Sequence, residues 1–204
     1  MPDATAEAIA ATDVTAATDV TAVTADVSAD ATSDGSPERV DDLTAHVIAQ
    51  LTARHLTLAV AESLTGGLLT AEFIRIPGAS RVVNGGLVAY STELKHSMLD
   101  VDAALLAAHG PVHPAVAIEM ASGVRTRLAV DARRADVGIA TTGVAGPDSQ
   151  DGQLPGTVFL GLSIGMRAFA IALQLDGDRD SIRRQTVDHA VKAVNQLIVE
   201  HLAE

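Results

Sequence analysis

Strand and helix signals alternate along the chain from Pro37 onward and end in two strand-like runs joined by a tight turn. That order predicts an α/β domain, a three-layer α/β/α sandwich around a mixed sheet of about five strands. Composition adds a second observation. The hydrophobic fraction is 48%, yet there is no Cys or Trp, one Tyr and only three Phe, so the core is aliphatic. Length adds a third: 204 residues hold one domain of ordinary size plus an extension, because single domains run to about 100–200 residues.

The elements follow in order. Val40, Leu43, Val47 and Leu51 recur at helical spacing after Ser36-Pro37, which suits a helix start. Leu56–Ala61 is a short apolar run that reads as a buried strand. A helix starting near Ser63-Leu64-Thr65 runs through Phe73 until Pro77-Gly78 breaks it. Val82–Tyr90 reads as the second strand, with a glycine pair inside, and Pro114–Val130 as a long helix after the break at Gly110-Pro111. Val137–Thr141 is a third strand. Thr157–Ile164 and Ala168–Leu175, joined at Gly165-Met166, have the spacing of a hairpin and supply an antiparallel partner. The last helix carries Val187, Val191, Val194 and Ile198 on one face.

Residues 1–37 have a different character. Residues 1–38 hold eight acidic residues and no basic one, so this segment carries −8 of the net −12 and leaves the body at −4. ATDVTA occurs twice in tandem, at Ala11–Ala16 and Ala17–Ala22, and the segment lacks aromatic residues and Leu. It cannot bury enough apolar area to offset the entropy of ordering it, and is expected to be a disordered acidic tail. The folded domain is expected over 38–204. The tail has neither the basic and apolar regions of a secretory signal nor the Arg-rich, acid-poor composition of a transit peptide, and no stretch approaches a membrane span. A cytoplasmic setting is the expectation.

Several function classes are disfavoured. With 14 Lys+Arg against 26 Asp+Glu and four aromatics, the chain is ill suited to nucleic-acid phosphates or to base stacking. Absence of Cys excludes disulfides, thiolate nucleophiles, iron–sulfur clusters and sulfur-based zinc sites. Neither the P-loop nor the dinucleotide glycine fingerprint occurs, Ser63 is not in a G-x-S-x-G elbow, and no S-x-x-K is found. His109 and His113 are four apart, but Gly110-Pro111 breaks the helix that would align them on a metal.

Chemistry in such a fold belongs where strands end and helices begin, at the carboxyl edge of the sheet. Three segments fall there. Ala61–Gly67 (AESLTGG) puts Ser63 at a strand-to-helix turn, where its hydroxyl either caps the helix or acts as a nucleophile beside unpaired amides; Gly66 and Gly67 allow close approach of a ligand. Tyr90 and Lys95 lie five apart after the second strand, in a chain with one tyrosine and two lysines. They are either a packed ring and a surface cation, or a base and a proton-orienting hydroxyl. Thr142, Gly143 and Gly146 after the third strand form either an ordinary loop or a backbone nest for an anion. Before the last helix, Arg179 and Arg183 either pair with neighbouring aspartates or clamp a phosphate or carboxylate.

AESLTGG (Ala61–Gly67), GGLVAYSTELK (Gly85–Lys95), GPVHPAVAIEMASGVR (Gly110–Arg125), TGVAGPD (Thr142–Asp148), PGTVFLGL (Pro155–Leu162) and GDRDSIRRQTV (Gly177–Val187) occur in the order and spacing of one family. The chain thereby resembles the C-terminal domain of the CinA (competence/damage-inducible) proteins, which includes stand-alone nicotinamide-nucleotide amidohydrolases. The resemblance covers about residues 38–202. It implies hydrolysis of the carboxamide of nicotinamide mononucleotide to nicotinate mononucleotide and ammonia, a step of pyridine nucleotide salvage. The family's serine, tyrosine and lysine correspond to Ser63, Tyr90 and Lys95. Ser63 would attack the amide carbon while Lys95, directly or through Tyr90, takes its proton. Amides around Thr65, Gly66 and Gly67, or at Thr142-Gly143, would hold the oxyanion, and Arg179 or Arg183 the phosphate. No metal or cofactor is implied. The alternative is a regulatory module of the same family that binds a pyridine nucleotide without efficient turnover. Larger CinA proteins carry an N-terminal domain resembling molybdopterin-binding proteins, and residues 1–37 are too short and polar to be it. The expected partner is a small pyridine mononucleotide, with no nucleic acid and no membrane, and a homo-oligomer is expected for an aliphatic sheet domain of this size.

Overall fold

The computed structural model of the protein describes residues 40–201. The acidic tail expected over 1–37 lies outside the described residues. Helix α1 (Val40–Arg54) leads into β1 (Leu58–Glu62), followed by α2 (Leu68–Ile74), a 3-10 turn at Ala79–Arg81, and β2 (Val83–Val88). Then come α3 (Thr92–Leu99), α4 (Ala103–His109), α5 (Pro114–Arg127), β3 (Val137–Gly143), β4 (Thr157–Ile164), β5 (Arg167–Gln174) and α6 (Arg179–His201).

The five strands form one sheet in the order β2-β1-β3-β4-β5. β1 pairs parallel with β2 and with β3, while β3/β4 and β4/β5 are antiparallel. This is the mixed α/β sheet expected from the sequence, and the hairpin has its two-residue turn, with Ile164 opposite Arg167 and Gly165 at φ +55°. The chain leaves β1 for β2 on one side and later returns to place β3 on the other. A crevice opens at such a reversal, outside the carboxyl ends of the strands.

Two apolar layers cover the sheet. Leu58, Val60, Val137 and Ile139 point to the side of α1, α2 and α6, where they meet Val47, Leu51, Phe73, Val191 and Val194. The alternate residues Ala59, Ala61 and Ala140 point to the side of α3, α4 and α5, against Leu99, Val116, Met120 and Val124. Strand alternation thus puts bulky residues on one face and small ones on the other. The small face lets α5 come unusually close. A Cβ at Gly138 would lie 2.0 Å from the Ala121 carbonyl oxygen, and one at Gly161 1.8 Å from that of Ala117.

Three details depart from the sequence expectation. Residues 63–67 turn instead of beginning a helix, because Gly66 and Gly67 take φ values of +59° and +100°, and α2 starts only at Leu68. The second strand ends at Val88 and not at Tyr90. Two helices, α3 and α4, occupy the stretch after Tyr90, for which the sequence predicts no element, and Lys95 sits in the first of them.

Substituting Gly161 by alanine sets a methyl against the Ala117 carbonyl, a backbone atom that moves only if α5 moves. The expected cost is about 1–3 kcal/mol, as for other overpacked cores, read as a lower denaturant midpoint with unchanged slope. An unchanged midpoint would mean that α5 is free to retreat from the sheet.

Candidate active site

β1 ends on Glu62, whose side chain has no exposure to solvent. Its carboxylate accepts from the amides of Gly67 at 2.9 Å and Leu69 at 3.1 Å through Oε2, and from the Thr70 amide at 2.8 Å and the Thr70 hydroxyl at 2.5 Å through Oε1. A buried carboxylate is tolerable only when saturated in this way. Thr70 reaches it over Gly86 of β2, where a Cβ would overlap the Thr70 hydroxyl at 1.9 Å. The consequence is a closed turn, with the backbone of residue 62 at its start and the carboxylate of residue 62 gripping the amide at its end.

Ser63 sits at the head of that turn, 8% exposed, its amide still paired with the Thr141 carbonyl of β3 at 2.9 Å. Thr65 is buried and shares a hydroxyl–hydroxyl bond of 2.8 Å with Thr141. Ser63 is therefore fixed to the sheet and does not cap α2, whose N-cap is Gly67.

Lys95, in the second turn of α3, is 1% exposed and extends toward the turn. Its Nζ donates to the Ala89 carbonyl at 2.8 Å and to Ser63 Oγ at 3.0 Å. Burial, which disfavours the ammonium, draws its pKa down from 10.5 to about 8. A neutral amine at that position keeps an N–H for Ala89 and turns its lone pair to the serine hydroxyl. The pair has the geometry of a nucleophile and its base, a serine–lysine variant of the serine triad.

Ser63 and Lys95 open onto a pocket of about 150 Å³ whose opposite wall is the end of β3 and the loop that follows, Thr142 to Gly146. Thr142 is buried and donates its hydroxyl to the Pro111 carbonyl at 2.7 Å, joining β3 to the loop that precedes α5. Tyr90, 60% exposed, stands at the mouth, and its hydroxyl accepts from Arg179 Nη2 at 3.0 Å. Arg179 also donates through Nη1 to the Gly146 carbonyl at 2.9 Å, so one guanidinium spans the mouth and presents positive charge there.

Of the residues singled out in the sequence, Ser63, Tyr90, Lys95, Thr142, Gly143, Gly146 and Arg179 meet at this pocket. Thr65, Gly66, Gly67 and Arg183 do not line it. The Gly66 amide donates to the Ser63 carbonyl at 3.1 Å and the Gly67 amide to Glu62, so both amides expected as anion donors are engaged within the protein. Arg183 is also engaged elsewhere: its Nε and Nη2 each donate at 3.0 Å, to the carbonyls of Leu64 and Thr65, and Nη1 lies 3.6 Å from Asp180. Tyr90 bonds to Arg179, with Lys95 in direct contact with Ser63 instead of through the phenol. Sequence reasoning missed Glu62, although it stands inside AESLTGG, and missed the pocket residue Pro111; Asp148 and Gln150, which also line the pocket, lie in motif and loop segments that it gave no site role. A charged residue closing an otherwise apolar buried strand was the available signal for Glu62. His109 and His113 stack with ring centres 4.5 Å apart, and His113 Nδ1 accepts the Ala115 amide as the cap of α5.

Fold and site together define a three-layer α/β domain that sets a serine against a buried lysine at the carboxyl edge of its sheet. The chain belongs to the CinA C-terminal domain family, which matches residues 40–198. It is 44% identical over 158 residues to a CinA-like protein of Frankia casuarinae, covering 78% of this chain and 35% of that protein. A CinA-like protein of Gemmatimonas aurantiaca is 42% identical over 152 residues, covering 74% and 34%. The chain thus spans about a third of the length of these curated relatives. Among solved structures, the CinA superfamily protein from Klebsiella pneumoniae superposes with a TM-score of 0.74 at 31% identity, covering 80% of this chain and 99% of that one. The one from Enterobacter cloacae gives 0.73 at 29% identity, covering 78% and 92%.

Replacing Glu62 by alanine leaves three amides and the Thr70 hydroxyl without their acceptor. Chemical denaturation is expected to register a loss of at least about 3 kcal/mol, because each buried donor left unpaired costs about 1–3 kcal/mol. A loss under about 1 kcal/mol would mean that the turn holds without the carboxylate.

Proposed function

We propose that the protein is a serine amidase that hydrolyses the carboxamide of nicotinamide mononucleotide, releasing ammonia and nicotinate mononucleotide. One observation carries the reading: Ser63 Oγ lies 3.0 Å from the Nζ of a lysine whose burial holds its pKa near 8, so that a useful share is neutral at ordinary pH. Membership of the CinA C-terminal domain family supports it. The pocket of about 150 Å³ is well below the ~300–1,000 Å³ of drug-sized sites, which suits one small planar ring held inside with the ribosyl phosphate outside, near Arg179.

In the proposed reaction Ser63 Oγ bonds to the amide carbon as its proton passes to Lys95 Nζ. The carbonyl oxygen becomes an oxyanion and is met by a backbone N–H of the turn that follows Ser63, at Leu64. The carbon–nitrogen bond then breaks, Lys95 returns its proton to the departing nitrogen, and ammonia leaves an ester on Ser63. Water attacks that ester with Lys95 again as base, and the serine regains its proton as the carboxylate departs. Arg179 would hold the phosphate, by exchanging or extending its bonds to Tyr90 and Gly146.

Ammonia release from nicotinamide mononucleotide, without added metal, is expected for the wild type and lost in Ser63→Ala. Release that persists in Ser63→Ala removes the proposed nucleophile; no release from folded wild type favours a binding module that does not turn its ligand over.

The pH profile follows from the sign of the lysine shift. The neutral amine is the active form, so kcat/KM is expected to rise roughly tenfold per pH unit below about 8 and to level off above it. Lys95→Arg, which stays charged throughout, is expected to abolish the rise together with the activity. A flat profile from pH 6 to 9 would exclude Lys95 as the base.

A further inference from the structure

Arg183 does not face the pocket, yet it spends two donors on the turn that carries Ser63. In a trans peptide the C=O and N–H point to opposite sides of the chain, and among the described residues the only cis bond is Gly146-Pro147. Each carbonyl that Arg183 holds therefore sets the direction of the amide that shares its peptide plane. The Leu64 carbonyl, bonded to Nε at 3.0 Å, belongs to the plane that carries the Thr65 N–H. The Thr65 carbonyl, bonded to Nη2 at 3.0 Å, belongs to the plane that carries the Gly66 N–H. That second N–H donates to the Ser63 carbonyl at 3.1 Å, and the Ser63 carbonyl belongs to the plane that carries the Leu64 N–H.

One guanidinium thus orients three consecutive peptide planes, two directly and one through Gly66. The far end of the turn is tied down separately by Glu62, which takes the Gly67 amide at 2.9 Å. Of the amides following Ser63 in the turn, Gly66 and Gly67 are engaged inside the protein, whereas those of Leu64 and Thr65 have no acceptor among the described residues. Both point away from the side on which Arg183 binds, and Leu64 lines the pocket next to Ser63.

We propose that Arg183 is a positioning residue: by holding the Leu64 and Thr65 carbonyls it fixes the peptide planes of the turn and keeps the Leu64 amide, which borders the pocket, turned toward an oxyanion formed at the group that Ser63 attacks. This inference rests on the serine-nucleophile reading of the site. It differs from a phosphate-binding role for the same arginine, because its effect is independent of whether the ligand carries a phosphate. Arg179 keeps the mouth of the pocket and the ligand's anionic end; Arg183 acts through the turn on the reacting centre.

The test uses the full chain and a fluorophosphonate ester, which labels a serine only when nucleophile and oxyanion donors are both in place and which carries no nucleotide. Wild type, Arg183→Lys and Arg183→Ala are compared for labelling rate at Ser63, for Tm, and for kcat and KM with nicotinamide mononucleotide and with the corresponding riboside, which lacks the phosphate. Loss of an oxyanion donor typically costs about 10²–10³ in rate. Labelling and kcat are expected to fall roughly 100-fold in Arg183→Ala and less in Arg183→Lys. KM and the pH midpoint near 8 are expected to stay unchanged, with the same fold-loss on both substrates. Labelling at the wild-type rate in folded Arg183→Lys and Arg183→Ala overturns the positioning role and leaves the amidase reading intact. A raised KM confined to the phosphorylated substrate overturns it in favour of phosphate binding. Should Arg183→Ala fail to fold, unimpaired labelling of Arg183→Lys alone suffices to overturn it, since an ammonium cannot hold both carbonyls in the guanidinium geometry. Wild type that does not label at Ser63 overturns both the inference and the reading beneath it.

Discussion

An ammonium group resists burial, and the layout of the sheet's carboxyl edge follows from burying one. Lys95 is nearly without exposure, and its Nζ makes two hydrogen bonds, one to a carbonyl and one to a serine. A carboxylate beside it would stabilise the charge and raise its pKa; instead burial alone drives the pKa downward. The site accordingly separates its charges. Glu62, one residue before the serine, spends its carboxylate on the amides of Gly67, Leu69 and Thr70, and Arg179 stands at the mouth bonded to a phenol and a carbonyl. Each charge has its own partners, and the lysine is left to be neutralised by losing its proton.

The depth at which Lys95 sits is a packing result. Leu99, one turn further along α3, places its carbonyl against Gly123 of α5, where a Cβ would come within 1.8 Å. Helix α5 in turn lies on Gly138 and Gly161 of the sheet with comparably short clearances. Three glycines set two helices close enough to cover the lysine, and the alanines of β1 and β3 on that face leave the space. The aliphatic, Ala-rich composition is therefore part of how the site is built, because larger side chains on this face would lift α5 and α3 and admit water to Nζ.

What the sequence revealed and what it hid divide along the same line. Order and type of the strands were readable because each is a short apolar run bounded by breakers, and the β4/β5 hairpin because its two-residue turn is local. α3 and α4 were hidden: both are short, eight and seven residues, too brief for a sustained helical period. Ser63 was visible by its place at a strand-to-helix turn, and Tyr90 and Lys95 as rare residue types at the right edge of the sheet. The division of labour between Arg179 and Arg183 was not. Four residues apart in one helix, they share a face in sequence, yet the bonds that separate them reach 33 and 89 residues back for Arg179 and 118 and 119 for Arg183. Local pattern carries no information about such pairings, and both arginines read alike until the fold brings their acceptors near.

Separation of the arginines also bears on the base. In the proposed reaction a phosphate enters beside a site whose lysine must remain partly neutral, and a dianion close to Nζ would favour the ammonium and silence it. Two features oppose this. The pocket is small, about 150 Å³, and the proposed reaction leaves the phosphate at its mouth, where Arg179 presents a positive charge. A guanidinium suits this role better than a second lysine, since its planar fork can hold two oxygens of a phosphate at once. Binding the anionic end of the ligand and preserving the base are then one electrostatic arrangement, which requires that the arginine at the mouth be free of duty in the turn. Arg183, committed to the carbonyls of Leu64 and Thr65, takes that duty.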